Sequence, residues 1–79
     1  MEVTFVTTPD GEWEMLFING ELEKDGHSIY TPHLLGSLKE HLPATITKIE
    51  VKELTWDALN RYDYEFPIHL VDYNEEDFA

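Results

Sequence analysis

Gly26-His27-Ser28 places the two side chains of a hydrolytic pair, a histidine base and a serine nucleophile, next to each other. Adjacent residues of an extended chain point to opposite faces, so the two cannot share a proton there. The stretch reads better as a corner: Gly26 supplies the turn, and Ser28 bonds nearby backbone. Four histidines among 17 acidic residues also raise metal binding. His33 and His41 lie eight positions apart on an expected helix, which separates their backbones by roughly 12 Å, too far for one ion. His27 and His69 can meet only through tertiary contact. His-x-x-x-His, His-Glu-x-x-His and calcium-loop patterns are missing, and Asp10-Gly11-Glu12-Trp13-Glu14 is a turn with charged flanks. The chain also lacks a Gly-rich phosphate loop, a Gly-x-Ser-x-Gly elbow and cysteine. Any acid–base pair drawn from so many carboxylates would be arbitrary. The expectation is a non-enzymatic protein without metal or cofactor.

Those carboxylates are the strongest global signal. Set against 5 basic residues, they leave a net charge of −12. Five dispersed cations cannot form the stripe that releases counterions from phosphates, so direct nucleic-acid binding is disfavoured, as is attraction to an anionic membrane. A basic protein surface is the partner such a charge attracts. With 79 residues, 42% of them hydrophobic, the chain has the composition of one small globular domain. A beginning without a basic, apolar leader fits a cytoplasmic protein.

The elements that must position these groups follow from local pattern. Val3 to Thr7 is β-branched and aromatic, and Thr8-Pro9-Asp10-Gly11 has type I turn residues in type I positions. A second strand, Trp13 to Ile18, reverses at Asn19-Gly20, the pair suited to a type I′ hairpin, into a third from Glu21 to Lys24. Thr31-Pro32 opens a helix to about Leu42 whose Leu34, Leu35, Leu38 and Leu42 form one core stripe. Thr45 to Lys52 returns to strand, with Ile49 and Val51 expected on a buried face. Thr55 caps a short helix from Trp56 to Tyr62 with Trp56 and Leu59 inward, and Phe66 to Val71 is a last strand entered through Pro67. The expected fold is α+β, in the order β-β-β-α-β-α-β: a mostly antiparallel sheet packed on one Leu-striped helix. Residues 1–72 form the domain, and 73–79 an acidic, frayed tail.

Within that frame the aromatics carry the binding hypothesis. Trp13 and Trp56 each have two readings, as core filler or as an exposed anchor on an anionic surface, and the core reading is preferred. The segment Tyr62-Asp63-Tyr64-Glu65 alternates ring and acid without a core pattern. Together with Tyr73, Glu75, Glu76 and Asp77, it is the candidate interface.

The run Leu16 to Ile29, LFINGELEKDGHSI, resembles a segment of small prokaryotic proteins associated with phages and plasmids. It covers 14 of the 79 residues, is mostly hairpin grammar, and transfers no catalytic residue. The resemblance implies a small cytoplasmic accessory protein. The expected function is therefore an acidic interaction module for a basic protein, with a DNA-mimic inhibitor as its sharper form. A structural homodimer covering its unpaired strand edges or its apolar sheet face is the alternative, and weak activity at a dimer-built site is a third.

Overall fold

The computed structural model describes residues 1–27 and 47–79. The expected Leu-striped helix, with His33 and His41, lies outside the described residues. Four strands, β1 (Glu2–Thr7), β2 (Glu14–Ile18), β3 (Glu21–Gly26) and β4 (Lys48–Glu53), form one sheet in the order β3-β2-β1-β4. β1 pairs antiparallel with β2 and β2 with β3, whereas β1 and β4 run parallel, so the sheet is mixed. One helix, α1 (Trp56–Tyr62), and two short 3-10 turns at Leu70–Asp72 and Glu75–Asp77 complete the described α+β fold.

The central position of β1 explains its unbroken apolar run. Val3 and Phe5 join Leu16 in a cluster on one face, and Val6 joins Met15 and Phe17 on the other. All six side chains are essentially inaccessible to water, as expected for a strand flanked on both sides by others. The second cluster continues through Leu54, Ala58 and Tyr73, so α1 and the C-terminal segment cover this face.

The hairpin between β2 and β3 forms as its sequence requires. Asn19 and Gly20 both take positive φ, 51° and 81°, the geometry of a two-residue type I′ turn. No atom lies within 4 Å of where a Gly20 side chain would stand, so only backbone conformation constrains the position. Replacing Gly20 by Ala is therefore expected to cost about 1 kcal/mol, through the left-handed penalty alone; chemical denaturation measures it. β3 runs two residues beyond its expected end, with a register shift opposite Leu16/Phe17 that leaves Glu23 as the extra residue.

Three expectations fail for reasons visible in the packing. The segment Phe66–Val71 is not a strand. It touches β3 through a single bridge, His69 with Glu21, flanked by bonds from Leu22 N–H to the Ile68 carbonyl and from Leu70 N–H to the Gly20 carbonyl, then turns away at Leu70–Asp72. Ile49 and Val51 are exposed, by 39% and 56%, because β4 is an edge strand and they lie at the margin of their face. On the opposite face Lys52 is half-buried with its ammonium 4.9 Å from the Phe78 ring centroid. The third difference is the C-terminal segment, expected to fray. Phe78 bridges Leu54, the Ala79 N–H bonds the Glu53 carbonyl, and the Thr55 N–H bonds the Asp77 carbonyl. Residues 65–79 thus form a strap from the β3 edge to the end of β4.

Candidate interaction surface

The helix that carries the surface is short and strongly specified. The Thr55 hydroxyl accepts the Ala58 N–H as N-cap, Asp57 lies in the first turn and Arg61 in the last, each at the end its charge suits. Beyond Tyr62 the chain takes two consecutive left-handed residues, Asp63 (φ 50°) and Tyr64 (φ 64°). Asp63 closes the helix by bonding its N–H to the Leu59 carbonyl. Conformations so uncommon outside glycine need support from their surroundings. Part of that support is the Tyr64 hydroxyl, which donates to the Asp10 carboxylate on the β1–β2 turn. Asp10 also accepts the Thr8 hydroxyl and the Glu12 N–H, and these bonds with that of Tyr64 hold its carboxyl below the ordinary value. The same contact pushes the Tyr64 hydroxyl up to about 12.

Ala58 and Leu59 of α1 are buried and Tyr62 is half-buried against the same cluster, so Trp56, Asp57, Asn60 and Arg61 occupy the opposite side. Trp56 is 60% exposed, against the expectation that it points inward. The reason is positional. With Thr55 as cap, Trp56 is the first helical residue, and the 100° step per residue carries 58, 59 and 62 to one side and 56 and 60 to the other. Tyr64 is 47% exposed at the far end. The seven-residue helix is roughly 10 Å long, so the two accessible rings stand at opposite ends of α1 at that order of spacing. Carboxylates fringe both ends. Glu53 and Asp57 flank Trp56 in sequence; Asp63, Glu65 and Glu12 lie near Tyr64.

The candidate interface residues separate into two groups. Asp63, Tyr64, Glu65, Glu75 and Glu76 are exposed. Tyr62, Tyr73 and Asp77 are built into the fold. The Tyr62 hydroxyl donates to Asp77 at 2.6 Å, Tyr73 donates to the Pro67 carbonyl at 2.9 Å, and Asp77 is 1% exposed. Sequence reasoning placed Trp56 in the core; a helical projection started from the Thr55 cap would have put it outside.

Most cations in the described residues already have a partner. Lys48 and Lys52 reach Glu50 at 2.5 and 3.6 Å, and Arg61 pairs with Asp77. The histidines do not converge. His27 meets the Trp13 ring edge-on with centroids 5.0 Å apart, beyond the end of β3, whereas His69 pairs with Glu21 at its start. Six residues of strand, roughly 20 Å, lie between the two ends. No group of three His, Cys, Asp or Glu side chains able to hold a metal occurs among the described residues, and no cavity is found among them. No helix among them is long and apolar enough to cross a membrane. No family model, curated protein or solved structure matches this chain.

Proposed function

We propose that the protein is an acidic interaction module whose α1 face docks on a basic surface of another protein. The observation that carries this reading is Trp56: a large aromatic 60% exposed on a chain of net charge −12, flanked in sequence by Glu53 and Asp57, with the one cation of its helix, Arg61, engaged by Asp77. Exposed tryptophan is the residue type most enriched at binding hot spots, and its ring face also attracts Lys and Arg. Carboxylates around the rim accelerate the encounter, and the rings slow dissociation.

The test is capture from a host lysate on immobilised protein at low salt, comparing wild type with Trp56→Ala and eluting on a salt gradient. The expected result is a basic protein retained by wild type, released as salt rises and lost from the variant. Retention indifferent to salt or to Trp56→Ala overturns the reading. Because the ring is mostly solvated, Trp56→Ala is expected to lower stability by no more than about 1 kcal/mol, so loss of capture would report binding rather than unfolding. A DNA-mimic inhibitor is the narrower form, and it adds that duplex DNA competes for the captured protein.

A further inference from the structure

The outer edge of β4 offers a second surface, chemically unlike the first. Among the described residues β4 is the only element with two cations, and its Lys48, Glu50 and Lys52 alternate in sign along one face while Ile49 and Val51 lie exposed on the other. No described strand pairs with that edge before Glu53, where Ala79 bonds the outward carbonyl. Leu54 N–H points inward to the Thr7 carbonyl and the Glu53 carbonyl points outward. Strand alternation therefore gives Val51 and Ile49 outward backbone groups as well, ready for another strand.

We infer that this edge pairs with the β4 edge of a second copy, antiparallel about a two-fold axis. Register follows from charge and space. Centring the axis on Glu50 sets Glu50 against its own copy and, twice by symmetry, Lys48 against Lys52, three like-charge oppositions. Centring it on Val51 drives Ile49 toward the partner's Glu53, whose outward carbonyl Ala79 already holds. Centring it on Ile49 sets Lys48 against the partner's Glu50 and Glu50 against the partner's Lys48, with the two Ile49 side chains opposed on the other face. Only this third register is self-complementary and clear of the Ala79 bond; it sets Val51 against the partner's Thr47, whose N–H the Met1 carbonyl holds, so the reciprocal Ile49 pair carries the strand bonds. The other sheet edge is a poor competitor, since β3 carries Glu21, Glu23 and Asp25 and its start is occupied by His69. Two copies of net charge −12 repel elsewhere, so the cation-bearing strand is also the least repulsive approach.

Sedimentation equilibrium of the full chain at 0.15 M salt, where the Debye length is about 8 Å, is expected to show a dimer at micromolar concentration. Lys48→Glu turns both cross-strand pairs repulsive and should weaken the dimer by roughly tenfold; the double variant Lys48→Glu/Glu50→Lys restores opposite charges and should recover it. Circular dichroism confirms that each variant is folded. Because the natural sequence has no cysteine, Ile49→Cys under mild oxidation should cross-link to its own copy, and Val51→Cys should not. A monomer at 100 times that concentration, a dimer unmoved by Lys48→Glu, or equal cross-linking of both cysteine variants overturns the inference. None of these outcomes depends on the α1 face, so Trp56→Ala is expected to leave the dimer intact.

Discussion

Replacing Asp77 by alanine is expected to remove about 2 to 4 kcal/mol of stability, because three donors lose one buried acceptor at once. Asp77 is 1% exposed, and it accepts the Tyr62 hydroxyl at 2.6 Å, the Asn74 N–H at 2.9 Å and the Arg61 guanidinium. Arg61 keeps half of its surface in water and can resolvate; the half-buried Tyr62 hydroxyl and the Asn74 N–H are less able to, and they set most of the cost. The effect also has a pH signature. Burial pushes the Asp77 carboxyl up, but Tyr62, the Asn74 N–H and Arg61 together outweigh burial and hold it below its ordinary value of 3.8. A folded-state value below the unfolded one means that the ionised form favours folding. Its contribution is complete above the unfolded value and is lost as pH falls through the folded one. The stability gap between wild type and Asp77→Ala, measured by urea unfolding, should therefore be constant near neutrality and narrow between about pH 5 and pH 2. A gap independent of pH over that range would mean that Asp77 acts through packing alone.

The same residue shows where sequence reading works and where it stops. Signals that act over a few residues translate directly. Asn19-Gly20 makes its hairpin turn, Thr55 caps α1 and Val3–Phe5–Val6 forms a buried strand, because each depends on backbone geometry within one turn or on a run of adjacent side chains. Asp77 shares a short acidic stretch with Glu75 and Glu76, and nothing local distinguishes the buried carboxylate from the two solvated ones. Its partners Arg61 and Tyr62 are 16 and 15 residues away. Ile49 and Val51 fail in a related way, since alternation shows that they share a face but not that β4 stands at the margin of the sheet. Exposure around the end of α1 follows the same logic. Asp63, Tyr64 and Glu65 follow a helix stop and are exposed, whereas Tyr62 belongs to the helix before that stop and is drawn inward.

Tyr73 is the position at which the strap should be most sensitive. It is 8% exposed, and its ring meets those of Phe17, Tyr62 and Phe78 at centroid distances of 6.0, 5.5 and 5.6 Å. It therefore connects the sheet, α1 and the end of the strap, and burial pushes its hydroxyl well above the ordinary tyrosine value. Tyr73→Ala removes a ring that three others contact, and by analogy with other large-to-small core substitutions it should cost about 3 to 5 kcal/mol. For a domain of this size that is a large share of a total of roughly 4 to 12 kcal/mol. Tyr73→Phe keeps the ring and loses the hydroxyl's bond to the Pro67 carbonyl and its weak contact with the Met15 sulfur at 3.6 Å, so it should cost about 1 kcal/mol. The contrast separates packing from hydrogen bonding. Amide exchange adds location: Tyr73→Phe should speed exchange at Leu70, which bonds back to Gly20, more than at the Met15 and Phe17 amides of the central sheet. If Tyr73→Ala costs no more than Tyr73→Phe, the strap contributes little to the core and α1 alone must hold that face of the sheet.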